Sequence, residues 1–345
     1  MLLASFGSPS ALGYATSSIV RRIGGEIFGA HLFIQASNLE EFRQHWHSVG
    51  QEHRKCVILF SDCPHREMAA LIANVRAPIV MVVEDFVDIF LYVRRSRQMA
   101  FAQAVRFTTQ VICALNHFLL SPNVKRISPA DYEQSLASFV QSLVSFYGAP
   151  CDDIQFAAIM EGLAPPESHI ETLYDYVRAE FPHVQDHPID NQLSPAEKQA
   201  LAQLSEAYGG LISGFGMDEV NWPVSMFLNW DVPGAFLDSP IELLGPARFI
   251  ICGPYLHLPE GDWRMSVEIE VEECFSDNQI GADIFSERIL TAISAKLPAS
   301  GRFGFDLDFR VVNSLAPVEI RMQLSTGAIE GRLSLVHAAL SRRRG

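Results

Sequence analysis

Residues 1–17 read MLLASFGSPSALGYATS. Met1–Phe6 is a short apolar run, and Ser8–Gly13 after it is a turn of small residues. From Thr16 to Gly24 the chain takes on helical character. A strand that turns through small residues into a helix is the repeating unit of a parallel sheet. The unit recurs in AHLFIQ (Ala30–Gln35), CVILF (Cys56–Phe60) and PIVMVV (Pro78–Val83). Between these strands Asn38 offers a cap to a helix whose first turn holds Glu40 and Glu41, and Pro64–Val75 reads as a second helix. A long helical region follows from about Asp88 to Leu120. Continuous apolar strands alternating with helices imply the α/β class, a parallel sheet covered on both faces. Ligands of such sheets sit beyond the carboxyl ends of the strands, which groups Gly7–Ser17, Ser61–His65 and Glu84–Asp88 around one crevice.

The pattern changes further along. Residues 131–215 read as helical and acidic. Ser194-Pro195-Ala196-Glu197 has the cap, first-turn proline and first-turn acid of a helix start. That helix runs through Leu201, Leu204 and Tyr208, and Gly209-Gly210 weakens or ends it. Pro223, Pro233 and Pro240 mark a connector. From about Arg248 the period is two: Trp263–Val271, Phe303–Phe309, Val318–Leu324 and Arg332–Val336 alternate, separated by turn signals. This predicts an antiparallel, all-β sandwich. We therefore expect an α/β domain with a helical extension over 1–216, a connector over 217–247 and a β-sandwich over 248–345.

Length and composition fit that plan. The chain has 345 residues, of which 48% are hydrophobic and 19% charged, which excludes a disordered chain and allows two cores. The net charge of −14 divides into +2 over 1–149, −9 over 150–216 and −7 over 217–345. Nucleic acid is not an expected partner of so acidic a chain. Six scattered cysteines (Cys56, Cys63, Cys113, Cys151, Cys252, Cys274) suit reduced thiols in the cytoplasm. No basic region precedes the apolar start, so no signal peptide is expected. The most apolar stretch, Ala77–Val93, contains Glu84, Asp85 and Asp88, so no membrane span is expected.

Several residues are candidates for chemistry. Gly7, Ser8, Ser10, Gly13, Tyr14, Thr16 and Ser17 form a loop that either cradles an anion with backbone N–H groups or is a plain strand–helix turn. It lacks the Gly-Lys-Ser/Thr ending of a triphosphate loop. Asp62, at a strand end, is a candidate base or a turn cap. Arg94, Arg95 and Arg97, with Arg106, offer forks for an anion or form a solvated helix face. His45, His47, His53 and His65 lie near Cys56 and Cys63 without a common zinc spacing, and no metal is expected. Asp306 and Asp308 share one face of an alternating strand, the ordinary pattern. No Gly-x-Ser-x-Gly nucleophile elbow is present.

Four stretches resemble, in order and spacing, the sulfotransferase family over about residues 1–215. They are the Gly7–Ser17 loop, VILFSDCP (Val57–Pro64), IVMVVEDFVDI (Ile79–Ile89) and LSPAEKQALAQLSEAYG (Leu193–Gly209). The resemblance implies a loop that holds the phosphosulfate of 3′-phosphoadenylyl sulfate. Phe60 stands where the family has a lysine, Asp62 where it has a histidine base, Glu84 where it has a phosphate-binding arginine and Tyr92 where it has a serine. The cofactor is thereby left open. GPYLHLPEGDWR (Gly253–Arg264), with Gly301–Phe309 and Pro317–Arg321, resembles the β-sandwich modules of carbohydrate-active proteins. That resemblance implies a saccharide or glycan held on flat aromatic faces near polar groups, with Tyr255, His257 and Trp263 in that role and Trp222 and Trp230 beside them. As strand residues, Tyr255 and Trp263 read equally well as core aromatics. Two functions follow as expectations. One is a transferase-like protein acting on saccharides in bacterial surface-polysaccharide biosynthesis, among the enzymes of that process. The other is a non-catalytic glycan-binding or scaffold protein derived from a sulfotransferase fold.

Overall fold

The computed structural model describes every residue except 49, 51–54, 120, 122, 183–191, 239 and 344–345. It contains two compact units, one made of Met1–Met99 and Ala114–Pro188 and the other of Ala100–Cys113 and Ile189–Gly345.

The first unit is built on β1 (Leu2–Gly7), β2 (Leu32–Gln35), β3 (Val57–Ser61), β4 (Ile79–Val82) and β5 (Val124–Ile127). These form one parallel sheet in the order β2-β3-β1-β4-β5. Every residue of β3 and β4 is buried, which is why both read as unbroken apolar runs. The helices are α1 (Ala11–Phe28), α2 (Leu39–His47), α3 (Arg66–Val75), α4 (Phe86–Ser96), α5 (Phe101–Leu119), α6 (Leu136–Tyr147), α7 (Asp153–Leu163) and α8 (Leu173–Glu180). Leu12, Ala15, Ile19 and Ile23 of α1 share a core with Leu3, Ile58 and Val80 of the sheet and with residues of α6, α7 and α8. The Tyr147 phenol donates to the Ala4 carbonyl at 2.7 Å and ties α6 to the central strand.

The caps are those the sequence indicates. Asn38 accepts from Glu41 N at 2.9 Å, while Glu41 reaches back to Ser37 N at 2.7 Å. One expectation is corrected: the stretch from Asp88 to Leu120 is two helices, α4 and α5. They are separated at Gln98, whose φ of 51° leaves the helical region. Helix α1 also begins earlier than expected, because Ser10 caps it by accepting from Gly13 N at 2.9 Å.

The second unit takes in the first part of α5, then α9 (Pro195–Ser213) and, among the described residues, the strands β6 (Glu219–Asn221), β7 (Leu228–Asn229), β8 (Ile241–Glu242), β9 (Arg248–Leu256), β10 (Gly261–Glu272), β11 (Gln279–Ser286), β12 (Arg288–Lys296), β13 (Gly301–Val311), β14 (Val318–Leu324) and β15 (Arg332–Arg342). They form two antiparallel sheets. One runs β13-β10-β15-β6, with β8 on β15, and the other β12-β11-β14-β9-β7. Trp263, Met265, Val267, Ile269 and Val271 of β10 are buried, and the residues between them are not. On the polar side Arg264 makes a two-pronged bond to Asp308 at 2.8 and 3.1 Å. The helix α9 does not stop at Gly209-Gly210. It runs to Ser213 and ends on Gly214 in the left-handed region, at φ 82°. Gly210 is needed because a side chain there would meet the Gly216 carbonyl. Among the described residues no helix is long and apolar enough to cross a membrane.

Candidate functional site

The register of the first sheet builds the crevice. Phe6 lies opposite Ser61 and Gly7 opposite Val82, so the turns after β1, β3 and β4 emerge side by side. The chain proceeds to opposite sides of β1 here, the arrangement that opens a crevice at the strand ends. The loop after β1 is tight. Ser8 N donates to the Val82 carbonyl at 3.2 Å. A Cβ on Gly7 would lie 2.9 Å from Val82 Cβ, and one on Gly13 would overlap the Ser8 carbonyl oxygen. Ser8, Thr16 and Ser17 are buried, and neither Ser8 Oγ nor Thr16 Oγ1 has a hydrogen-bond partner among the described residues. Of this loop only Ser10 and Ala11 line the cavity described below, and Tyr14 is half-buried.

Three residues singled out from separate stretches of sequence meet. The Tyr14 phenol donates to Oδ2 of Asp62 at 2.7 Å, and Arg97 Nη2 donates to the same oxygen at 2.7 Å. The Tyr14 ring packs against Phe60, Tyr92 and Phe181, with centroids 5.5, 5.7 and 6.4 Å away. Burial, reinforced by the Asp62 charge, holds the phenol well above its ordinary value. Asp62 is thus a structural acceptor with one oxygen occupied twice. Burial pushes the neighbouring Cys63 thiol up to about 12, so it is no thiolate nucleophile. Arg95 lines the cavity, and Arg94 Nη1 is buried without a partner among the described residues. Arg106 belongs to the second unit, where its Nε donates to the Pro254 carbonyl at 2.9 Å. Among the described residues no group of three or more metal-ligating side chains forms, and His53 lies outside the described residues.

The cavity itself, of about 390 Å³, is lined by Ser10, Glu84, Asp88, Tyr92, Arg95, Pro129, Tyr132 and Tyr174 among others. Glu84 is 6% exposed, and its Oε2 has no hydrogen-bond partner among the described residues. Ser10, which caps α1, lines the same cavity, so the start of α1 already faces a carboxyl group of the protein itself. Burial pushes Glu84 up to about 7, and the charges of Asp88 and Asp85 add to this. Asp88 is raised to about 6, first by burial and then by Asp85, which caps α4 by accepting from Asp88 N at 2.9 Å. Across the cavity Tyr132 and Tyr174 meet edge to face at 5.6 Å. The sequence places Glu84–Asp88 at the crevice but gives Glu84 and Asp88 no binding role, and it does not bring Tyr132 or Tyr174 there. The two tyrosines come from a 3-10 turn, Pro129–Glu133, and from α8, and no local motif links them.

The second unit places its candidates differently from the expected aromatic face. Trp263 is fully buried, with Nε1 donating to the Pro259 carbonyl at 3.0 Å. His257 is 5% exposed, its backbone N and Nδ1 each 3.2 Å from Thr109 Oγ1. Its carbonyl accepts from the Tyr208 phenol, and burial pushes its imidazole down to about 4. Tyr255 is half-buried with the Arg106 guanidinium 4.8 Å from its ring centre, and its phenol donates to Cys252 Sγ at 3.3 Å. These rings pack into the unit and do not form an open platform. Trp222 is likewise buried, and Trp230, 48% exposed, rests on Phe249 at 5.1 Å.

No family model matches the chain, and no curated protein does. Solved structures resemble it in part. A mouse sulfotransferase, SULT7A1 complexed with PAP, is 12% identical with a TM-score of 0.38, over 62% of this chain and 87% of that one. The C-terminal CBM6 of LamC from Zobellia galactanivorans is 11% identical with a TM-score of 0.21, over 29% of this chain and 74% of that one. TmCBM61 in complex with β-1,4-galactotriose is 11% identical with a TM-score of 0.22, over 34% and 81%. At such identities and TM-scores, what the crevice does has to be read from its own residues.

Proposed function

We propose that the crevice of the first unit binds a saccharide and that the Glu84 carboxyl hydrogen-bonds the sugar's hydroxyls. The observation that carries this reading is the partnerless, buried Glu84 Oε2 in the cavity wall. A buried carboxyl oxygen without a partner is costly, and a ligand hydroxyl supplies the missing bond. A carboxyl group that titrates near 7 can donate or accept at neutral pH, and sugar hydroxyls do both. The rings of Tyr92, Tyr132 and Tyr174 offer apolar faces with phenolic edges, which suit the C–H face and rim of a pyranose. The carboxyl groups of Glu84, Asp85 and Asp88 disfavour a phosphate at this point, so a neutral saccharide fits better than an anionic donor.

Melting curves of the full chain with neutral oligosaccharides of glucose, galactose and N-acetylglucosamine test the reading. A ligand that binds the folded state alone raises the melting temperature in proportion to RT ln(1 + [L]/Kd). At least one oligosaccharide is expected to raise it, and Glu84→Ala is expected to shrink the rise. No rise with any of them, or an equal rise in the variant, overturns the reading.

A second reading is group transfer from an anionic donor held at the Gly7–Ser17 loop. It is favoured by Arg95 in the same wall and by the Ser10 hydroxyl at the start of α1. Adenosine 3′,5′-bisphosphate and nucleotide sugars in the same assay separate the two: stabilisation by these and by no neutral saccharide supports transfer.

A further inference from the structure

At the opposite end of the first sheet, where β1 and β3 begin, lies a groove of about 540 Å³ that the saccharide reading does not use. Two helices turn apolar residues toward it. Helix α2 has no buried residue, although Phe42 and Trp46, one turn apart, stack with centroids 6.0 Å apart and planes 19° apart. On α3, Leu71 and Val75 are also one turn apart, and Val75 is 56% exposed. All four side chains line the groove. An amphipathic helix ordinarily buries its apolar stripe, whereas Phe42 and Trp46 of α2 are only half-buried and line the groove.

The polar groups of the groove are one-sided. Arg43 and Arg76 line it, and no acidic side chain among the described residues does. Both guanidinium groups are exposed, and neither has a hydrogen-bond or ion-pair partner among the described residues. Arg76 follows α3 with a φ of 50°, a conformation that costs a non-glycine residue some strain. In a chain of net charge −14, an apolar groove edged by two guanidinium groups selects an anion with an apolar body. Guanidinium groups bind carboxylates through two parallel hydrogen bonds. A saccharide would find no acceptor among these lining side chains. The volume lies in the range of small-molecule sites, which are mostly apolar with a few placed polar groups.

We propose that this groove binds a single medium-chain fatty carboxylate, the alkyl chain between α2 and α3 and the carboxylate on Arg43 and Arg76. The proposal is independent of the saccharide site. Its test is a titration of the full chain with octanoate, decanoate and dodecanoate below their micelle concentrations, read by calorimetry and tryptophan fluorescence. Affinity is expected to rise by about fourfold for each added methylene. Dodecyltrimethylammonium is expected to bind at least about tenfold more weakly than dodecanoate, since it reverses the sign of the head group. Substituting both exposed arginines, Arg43→Gln with Arg76→Gln, should keep the fold and weaken dodecanoate by about five- to tenfold. Glu84→Ala should leave dodecanoate binding unchanged, which separates this site from the crevice. Affinity independent of chain length, equal binding of the cationic amphiphile, or no effect of the arginine substitutions overturns the proposal. So does a concentration-dependent dimer that Trp46→Ala dissociates and dodecanoate does not, because a second copy would then cover the groove.

Discussion

The phenol of Tyr14 donates to Oδ2 of Asp62 at 2.7 Å, joining the helix after the first strand to the end of the third. Arg97 donates to the same oxygen, so the carboxylate pins both sides of the crevice. Tyr14→Phe should cost about 1 kcal/mol, the net worth of one such bond. Asp62→Ala should cost more, about 2 kcal/mol, because it also takes an acceptor from the half-buried Tyr14 phenol. Urea denaturation of both single variants and the double variant checks this, and strictly additive losses would contradict the link.

Glu84 gives stability a pH dependence of definite sign. In the unfolded chain the carboxyl titrates near 4.5, and in the fold near 7. Between those values the folded state keeps a proton that the unfolded state has released, so stability falls as pH rises through the window. Below about 4.5 both states are protonated and the penalty vanishes. Glu84→Gln should remove this slope. Asp88, raised to about 6, contributes in the same sense and remains in the variant. Arg95 and Tyr132 also line the cavity and stay unchanged. Denaturation curves at several pH values check the difference, and parallel profiles would rule out a raised Glu84.

Much of this architecture is legible in the sequence, for reasons tied to particular residues. Strands β3 and β4 are apolar throughout because both faces are covered, and the caps at Asn38 and Ser194 announce their helices. The break between α4 and α5 is not legible, since it turns on Gln98 without a glycine or proline. Strand β11 escapes because Ile280–Ile284 are all buried, which erases the alternation that marks β10. The crevice follows from the strand ends, but its working residues do not. Glu84 looks like a lost arginine until its burial and its partnerless Oε2 in the cavity wall are seen. Tyr132 and Tyr174 join it only through tertiary packing. Trp263 and Tyr255 show the converse, because a strand position does not say which way a ring faces.

His257 should show the opposite pH behaviour to Glu84. Burial lowers its imidazole from 6.5 to about 4. As pH falls through that window the unfolded chain gains a proton that the folded chain refuses, so stability is lost on acidification. His257→Gln should flatten that acid limb. The check is the difference between variant and parent in melting temperature across about pH 4–7. An unchanged limb would contradict a neutral, buried His257.

Gly13 should resist substitution despite lying in a helix, where alanine is ordinarily favoured. A Cβ there overlaps the Ser8 carbonyl oxygen, a backbone atom that cannot swing aside. Gly13→Ala should destabilise by about 2 kcal/mol or more, the range of overpacking strain. A variant as stable as the parent would show the loop to be looser than described.

The most direct measurement is a calorimetric titration of the best-binding neutral oligosaccharide into the parent chain, Glu84→Gln and Glu84→Ala. The account predicts that glutamine, which still donates and accepts, keeps affinity within about tenfold, and that alanine loses about ten- to a hundredfold, the worth of a buried hydrogen-bonding group. Equal affinity in all three proteins would contradict a saccharide held by the Glu84 carboxyl.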